Sequence, residues 1–116
     1  MTAPHTISAS CPDDALSAAV AEHCAGWTRH TSNLGNAAEP FWTLGREYRH
    51  SWQFAYAESV DACLPLLGDS FEIASIGDGF RAAVFPSGAV YRANAPTVAR
   101  AICLAMLKSK GFEVTP

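Results

Sequence analysis

The sequence predicts an α+β domain, a three-layer α/β/α sandwich in which an antiparallel sheet of three to four strands is covered by helices on both faces. Three observations carry this. Residues 71–111 read without a gap as strand, turn, strand, turn, strand and helix; the strands are apolar on both faces; and three segments repeat apolar residues at helical spacing.

Strands are expected at 71–76, 80–85 and 89–93. The first two are joined by Gly77-Asp78-Gly79, read as a three-residue connection whose glycines supply the positive φ of a tight hairpin. Pro86-Ser87-Gly88 makes the second reversal, with proline presetting φ and glycine closing the turn. Successive side chains on a strand alternate between faces. With these turns, Ala74, Ile76, Phe80, Ala82, Val84 and Val90 share one face, and Phe71, Ile73, Ala83, Phe85, Ala89 and Tyr91 the other. Two apolar faces need cover on both sides.

Helices expected at 12–25, 51–67 and 96–110 supply that cover. In the last, Pro96 stands at the first helical position, Val98, Ile102, Ala105 and Met106 recur at helical spacing, and Lys108, Lys110 and Gly111 match a helix end. In the first, Pro12-Asp13-Asp14 opens the helix, Leu16, Ala19, Val20, His23 and Cys24 form a stripe, and Gly26 ends it. The middle helix starts near Ser51 and turns Trp52, Ala55, Tyr56, Val60, Cys63, Leu64 and Leu67 inward, with Pro65 disturbing its last turn. Residues 27–47 read as a long surface loop, in which Trp27 to Thr31 has strand-like alternation and Ser32-Asn33-Leu34-Gly35-Asn36 is turn-like.

Composition fits one domain over residues 1–116, with 1–10 a flexible amino-terminal segment. A chain of 116 residues buries roughly two-thirds of its unfolded surface, enough for one core. Hydrophobic residues make up 49% and charged residues 16%, too apolar for disorder and poor enough in charge to point to self-association or a partner. No apolar run approaches the ~20 residues that span a bilayer, and no secretory signal opens the chain, so membrane association is not expected and a cytoplasmic location is. Eight basic against eleven acidic residues argue against nucleic acid as a partner.

The chemistry-bearing residues form no pattern that commits the chain to a reaction. Cys11, Cys24, Cys63 and Cys103 make no C-x-x-C pair and read as small apolar core groups. His23-Cys24 is adjacent in sequence, and neighbouring helical residues diverge by about 100 degrees, so no metal site is expected. A Cys63, His50, Asp61 trio is the kind any chain of this size contains by chance. G-x-S-x-G, G-x-x-x-x-G-K and a G-x-G-x-x-G after a strand are absent from the sequence, and no cofactor is implied.

One stretch does read as a recognition surface. Trp42, Arg46, Tyr48, Arg49, His50 and Trp52 bring aromatic rings, guanidinium groups and an imidazole within eleven residues. Rings bury area with few rotors, and arginine forks grip anions or stack, which enriches both at interfaces. The competing reading is that Trp42, Tyr48 and Trp52 pack internally and the charges flank them.

Asp14-Ala15-Leu16, Val20-Ala21-Glu22, Gly26-Trp27, Trp42 with Gly45, Tyr48 ahead of a helix, and Ala95-Pro96 through Ala101-Ile102-Cys103-Leu104-Ala105 recur together and in order. In this the chain resembles the phage ABA sandwich domain family, small proteins of bacteriophages and prophages, over about residues 14–114. The resemblance implies helices on either side of a sheet and supplies no activity. After its tyrosine that family runs to serine, threonine and aspartate, where this chain has Arg49, His50 and Ser51, so no role of the acid carries over. The expectation is a noncatalytic phage or prophage accessory protein that binds a host or phage macromolecule, above all a protein. Two alternatives stand beside it. One is a binder of a small molecule or nucleotide through the Trp42 to Trp52 region; the other is a small hydrolase using a cysteine (Cys63 with His50) or a metal at His23.

Overall fold

The structure is a computed structural model that describes residues 5–31, 40–50, 53–67, 71–85 and 88–115. Within these the chain is mixed α+β. The strands are β1 (Thr6–Ser8), β2 (Thr28–Thr31), β3 (Pro40–Leu44), β4 (Glu47–His50), β5 (Phe71–Ile76), β6 (Gly79–Val84), β7 (Tyr91–Ala95) and β8 (Glu113–Thr115). The helices are α1 (Asp13–His23), α2 (Val60–Leu67) and α3 (Val98–Ser109). Strands pair as β1-β8, β2-β3-β4 and β5-β6-β7, the first pair parallel and the others antiparallel.

The three-stranded meander expected in the last third is present, with shifted strands and one reassigned face. Ile76 pairs with Gly79, so the turn is the two residues Gly77 and Asp78, and Gly77 takes φ +53°. Gly79 belongs to β6 through its pairing with Ile76, and a Cβ there would lie 2.6 Å from the Ala95 carbonyl oxygen. Losing one residue from the turn moves every partner on β5 to the opposite face. Ile73 therefore sits opposite Ala82, and Ala82 opposite Ala93, while Ala74 shares its face with Arg81 and Asn94. On β7, Tyr91 rather than Val90 faces Val84. Pro86 and Ser87 of the second turn lie outside the described residues.

The consequence is a sheet with one largely apolar face and a second that is mostly polar, although Ile76 and the buried Ala83 also lie on the second. Glu72, Ala74, Arg81, Arg92 and Asn94 share the second face and are exposed. The expected helix–sheet–helix order is not what the described residues form. α3 packs on β6 and β7, and α1 and α2 pack on α3 rather than on the other side of the sheet.

That position encloses α3 on all sides. Ala101 to Leu107 are buried without a break, so the helix is apolar around its whole circumference rather than along a stripe. Thr97 caps it, its Oγ1 accepting the Arg100 N–H at 3.3 Å, so Pro96 precedes the cap instead of opening the helix. At the far end Gly111 has φ +94°; its N–H donates to the Lys108 carbonyl, and the Phe112 N–H to the Leu107 carbonyl. This paired closure satisfies the last carbonyls and fixes the Phe112 ring in place. Arg100, 12% exposed at its side chain, donates to the carbonyls of Ala9 (2.9 Å) and Cys11 (2.8 Å) and pairs with Asp13. One guanidinium thus ties the chain leading into α1 to α3.

α1 begins one residue later than expected, with Pro12 before the helix, and Gly26 turns the chain at φ +85°. Leu16 and Val20 enter the main core, while Ala18 and Ala21 face a second cluster with Trp27, Trp42 and Phe54. Ser17 lies between them, and its Oγ accepts the Ala57 N–H at 2.8 Å.

α2 is much shorter than the helix expected over 51–67. The Ser59 N–H donates to the Ala55 carbonyl in a turn, and the Ser59 hydroxyl then accepts the Ala62 N–H at 3.3 Å, capping a helix that starts at Val60. Anchoring Ala57 to Ser17 holds the preceding chain in a turn. Ser51 and Trp52 lie outside the described residues, as do Gly68 and the expected turn 32–36.

Two pairings were not anticipated. β2 and β3 replace the expected surface loop, and Thr6–Ser8, from the segment expected to be flexible, pairs with Glu113–Thr115. Among the described residues no helix is long and apolar enough to cross a membrane.

Candidate functional site

The β2-β3-β4 sheet carries most of the residues singled out from sequence and sorts them onto opposite faces. Gly45 (φ +61°) and Arg46 form the two-residue turn of the β3–β4 hairpin, which places Arg46 exposed at its tip. The register opposes Trp42 to Arg49 and Phe41 to His50, and on the β2 side Trp42 to Arg29 and Phe41 to His30. Directly opposed residues point the same way. Arg29, Trp42 and Arg49 therefore share the inner face, and His30, Phe41, Tyr48 and His50 the outer one.

On the inner face the reading as packing residues holds. Trp42 is 4% exposed and meets the edge of Phe54, with ring centroids 5.7 Å apart. Trp27 meets Phe54 at 5.2 Å, and the Arg49 guanidinium lies over the Trp27 ring at 5.1 Å, a cation–π contact of about 0.5–1 kcal/mol. Arg49 also reaches the Glu47 carboxylate at 3.8 Å. The Trp27 indole pairs with the Tyr56 hydroxyl, whose pKa burial raises. The Trp42 indole N–H, by contrast, is buried and finds no acceptor among the described residues.

On the outer face four rings form a continuous row. His30 stacks on Phe41 (5.0 Å, 14°), Phe41 leans on Tyr48 (5.2 Å, 40°), and Tyr48 meets His50 edge-on (5.1 Å, 84°). Hydrogen bonds steady both imidazoles: His30 Nε2 with Thr43 Oγ1 at 2.8 Å, and His50 Nε2 with the Tyr48 hydroxyl at 3.0 Å. Tyr48 is 53% exposed. The side chains described on this face carry neither carboxylate nor guanidinium. Of the six residues nominated from sequence, Tyr48 and His50 reach this row, Arg46 stands at the turn, Trp42 and Arg49 face inward, and Trp52 lies outside the described residues. His30 and Phe41 were missed as site residues: the β3–β4 hairpin brings Phe41 beside Tyr48 and His50, and the β2–β3 pairing across residues 32–39 then brings His30 onto Phe41.

The thiols behave as core groups. Cys63 and Cys103 are fully buried with sulfurs 3.9 Å apart, and both donate to the Tyr56 carbonyl, at 3.1 and 3.2 Å. The Cys63 contact, then burial, pushes the Cys103 thiol far above the ordinary range, and the same contact holds Cys63 below it against the effect of burial. Burial pushes Cys24 up to about 11. A nucleophilic thiol needs access, which Cys63 lacks, and His50 is engaged with Tyr48 on the other sheet. His23 packs against His5 and Phe112 and meets Glu22 at 3.8 Å. Among the described residues, no group of three or more His, Cys, Asp or Glu converges as a metal site.

No family model matches the chain, and neither a curated protein nor a solved structure does.

Proposed function

We propose that this chain is a noncatalytic phage or prophage accessory protein that binds a host or phage protein, in the host cytoplasm, through the outer face of β2-β3-β4. The row His30, Phe41, Tyr48 and His50 carries the reading. Rings that hold one another in place lose little freedom on binding, and interface centres are rich in aromatics and poor in charge. The absence of arginine and lysine among the described side chains of this face, with a net charge of −3, favours a protein over a polyanion. The phage assignment rests on the sequence resemblance alone. Trp42, Arg46 and Arg49 do not converge on one pocket, and this counts against a nucleotide site built from them.

The test is affinity capture from host lysate, comparing the wild-type chain with a Phe41→Ala/Tyr48→Ala variant whose fold is checked by circular dichroism. A protein retained by the first and lost at least tenfold from the second is expected, since truncating a buried interface aromatic costs about 2 kcal/mol or more. Identical capture by both chains, or none above background at several salt concentrations, sinks the reading.

A further inference from the structure

The main core holds two thiols in which the binding surface has no part. Cys63 of α2 and Cys103 of α3 are fully buried with their sulfurs 3.9 Å apart, and both donate to one acceptor, the Tyr56 carbonyl. The shared acceptor turns both side chains toward the same point. A disulfide holds its sulfurs at about 2.05 Å, so the pair stands one short approach from bonding.

The helices that carry the two thiols differ in how firmly they are held. Cys103 lies in the stretch from Ala101 to Leu107 that is buried without a break. Of the eight residues of α2 only Cys63 is buried, and Val60, Asp61, Leu64 and Pro65 are exposed. A helix this short is marginal by itself, and Pro65 inside it offers no N–H to the Asp61 carbonyl. Local opening of α2 therefore uncovers the sulfurs while α3 stays in place.

We propose that Cys63 and Cys103 are a redox-active pair that reacts with a small peroxide and closes into a disulfide tying α2 to α3. Cys63, whose contact with Cys103 favours the thiolate, loses its proton and attacks first. Its sulfur bonds to one peroxide oxygen, the O–O bond breaks, and the departing hydroxide takes up that proton as water, leaving a sulfenic acid. The Cys103 sulfur then attacks the Cys63 sulfur; the S–O bond breaks, and the second hydroxide leaves with the Cys103 proton. The two thiols together lose two electrons, and the peroxide becomes two waters. None of this depends on the ring row, which lies on another sheet.

The test treats the folded full chain with hydrogen peroxide, follows the fold by circular dichroism, alkylates the remaining thiols and digests the product for mass spectrometry. A Cys63–Cys103 crosslink is expected, with an intact mass lower by two hydrogen atoms and reversal by dithiothreitol. Cys103→Ala should halt the reaction at a sulfenic acid on Cys63, trapped by dimedone. Pro65→Ala, at an exposed position, restores the missing helix bond and should slow crosslinking about fivefold or more. The proposal fails if both thiols are still alkylated once the treated chain is unfolded, or if disulfides form only to Cys11 or Cys24. It fails equally if the crosslink needs denaturant, or if Pro65→Ala reacts as fast as the wild-type chain.

Discussion

Cys24 shows how much one buried group controls. It follows α1 and packs against the main core, and burial raises its thiol from an ordinary value of 9.0 to about 11. Below about pH 9 the thiol is protonated in both folded and unfolded chains. Between 9 and 11 the unfolded chain releases the proton and the folded chain keeps it, so stability falls as pH rises through that window. Cys24 alone accounts for on the order of 2–3 kcal/mol of this loss. Burial of Tyr56 acts in the same direction, while in the Cys63–Cys103 pair the raised Cys103 and the lowered Cys63 act against each other. Urea denaturation at pH 8 and pH 10.5 should show the fall, and Cys24→Ala should flatten it. An unchanged slope in that variant would assign the effect to the other groups.

Among the elements, the β5–β6 hairpin explains both what the sequence made legible and what it hid. The strands, their antiparallel order and the glycine turn follow directly from 71–85. Which glycine serves the turn does not. Gly77 supplies the positive φ, whereas Gly79 is needed inside β6 because the Ala95 carbonyl leaves no room for a Cβ. That requirement arises from a third strand, and local sequence carries no trace of it. Gly79→Ala should therefore cost about 1–3 kcal/mol by forcing β6 and β7 apart, read as a lowered denaturation midpoint. Gly77→Asn, placed where asparagine tolerates the left-handed region, should cost less. If the two cost the same, the close approach to Ala95 is not what fixes the register.

Over the whole molecule the core divides unequally. Among the described residues, fifteen buried ones form the cluster around β6, β7 and the helices, while Ala18, Ala21, Trp27, Trp42 and Phe54, with Ala25 and Tyr56 packed against them, form the cluster under β2-β3-β4. The smaller cluster rests on three aromatic rings meeting two alanines of α1, so opening this sheet need not disturb the buried segment of α3. Amide exchange in β2-β3-β4 should proceed by partial unfolding, on the order of 2 kcal/mol below the cost of exposing Ile102 to Leu107. Equal protection in both regions would show a single cooperative unit instead. The same division marks where sequence reading ended. The final helix and meander are continuous and local, but β2 meets β3 across residues 32–39, and β1 meets β8 from more than a hundred residues away. Trp27 to Thr31 alternates like a strand, but neither pairing can be read from local sequence, and His30 joins the ring row only through the first.

A helix without a wet side has no room for drift. Wherever α3 lies against sheet, α1 or α2, a replacement for Ala101 to Leu107 must keep its volume, so change in that segment should come only with matching change in its neighbours. The ring row carries no such tether, and its composition is free to follow whatever it meets.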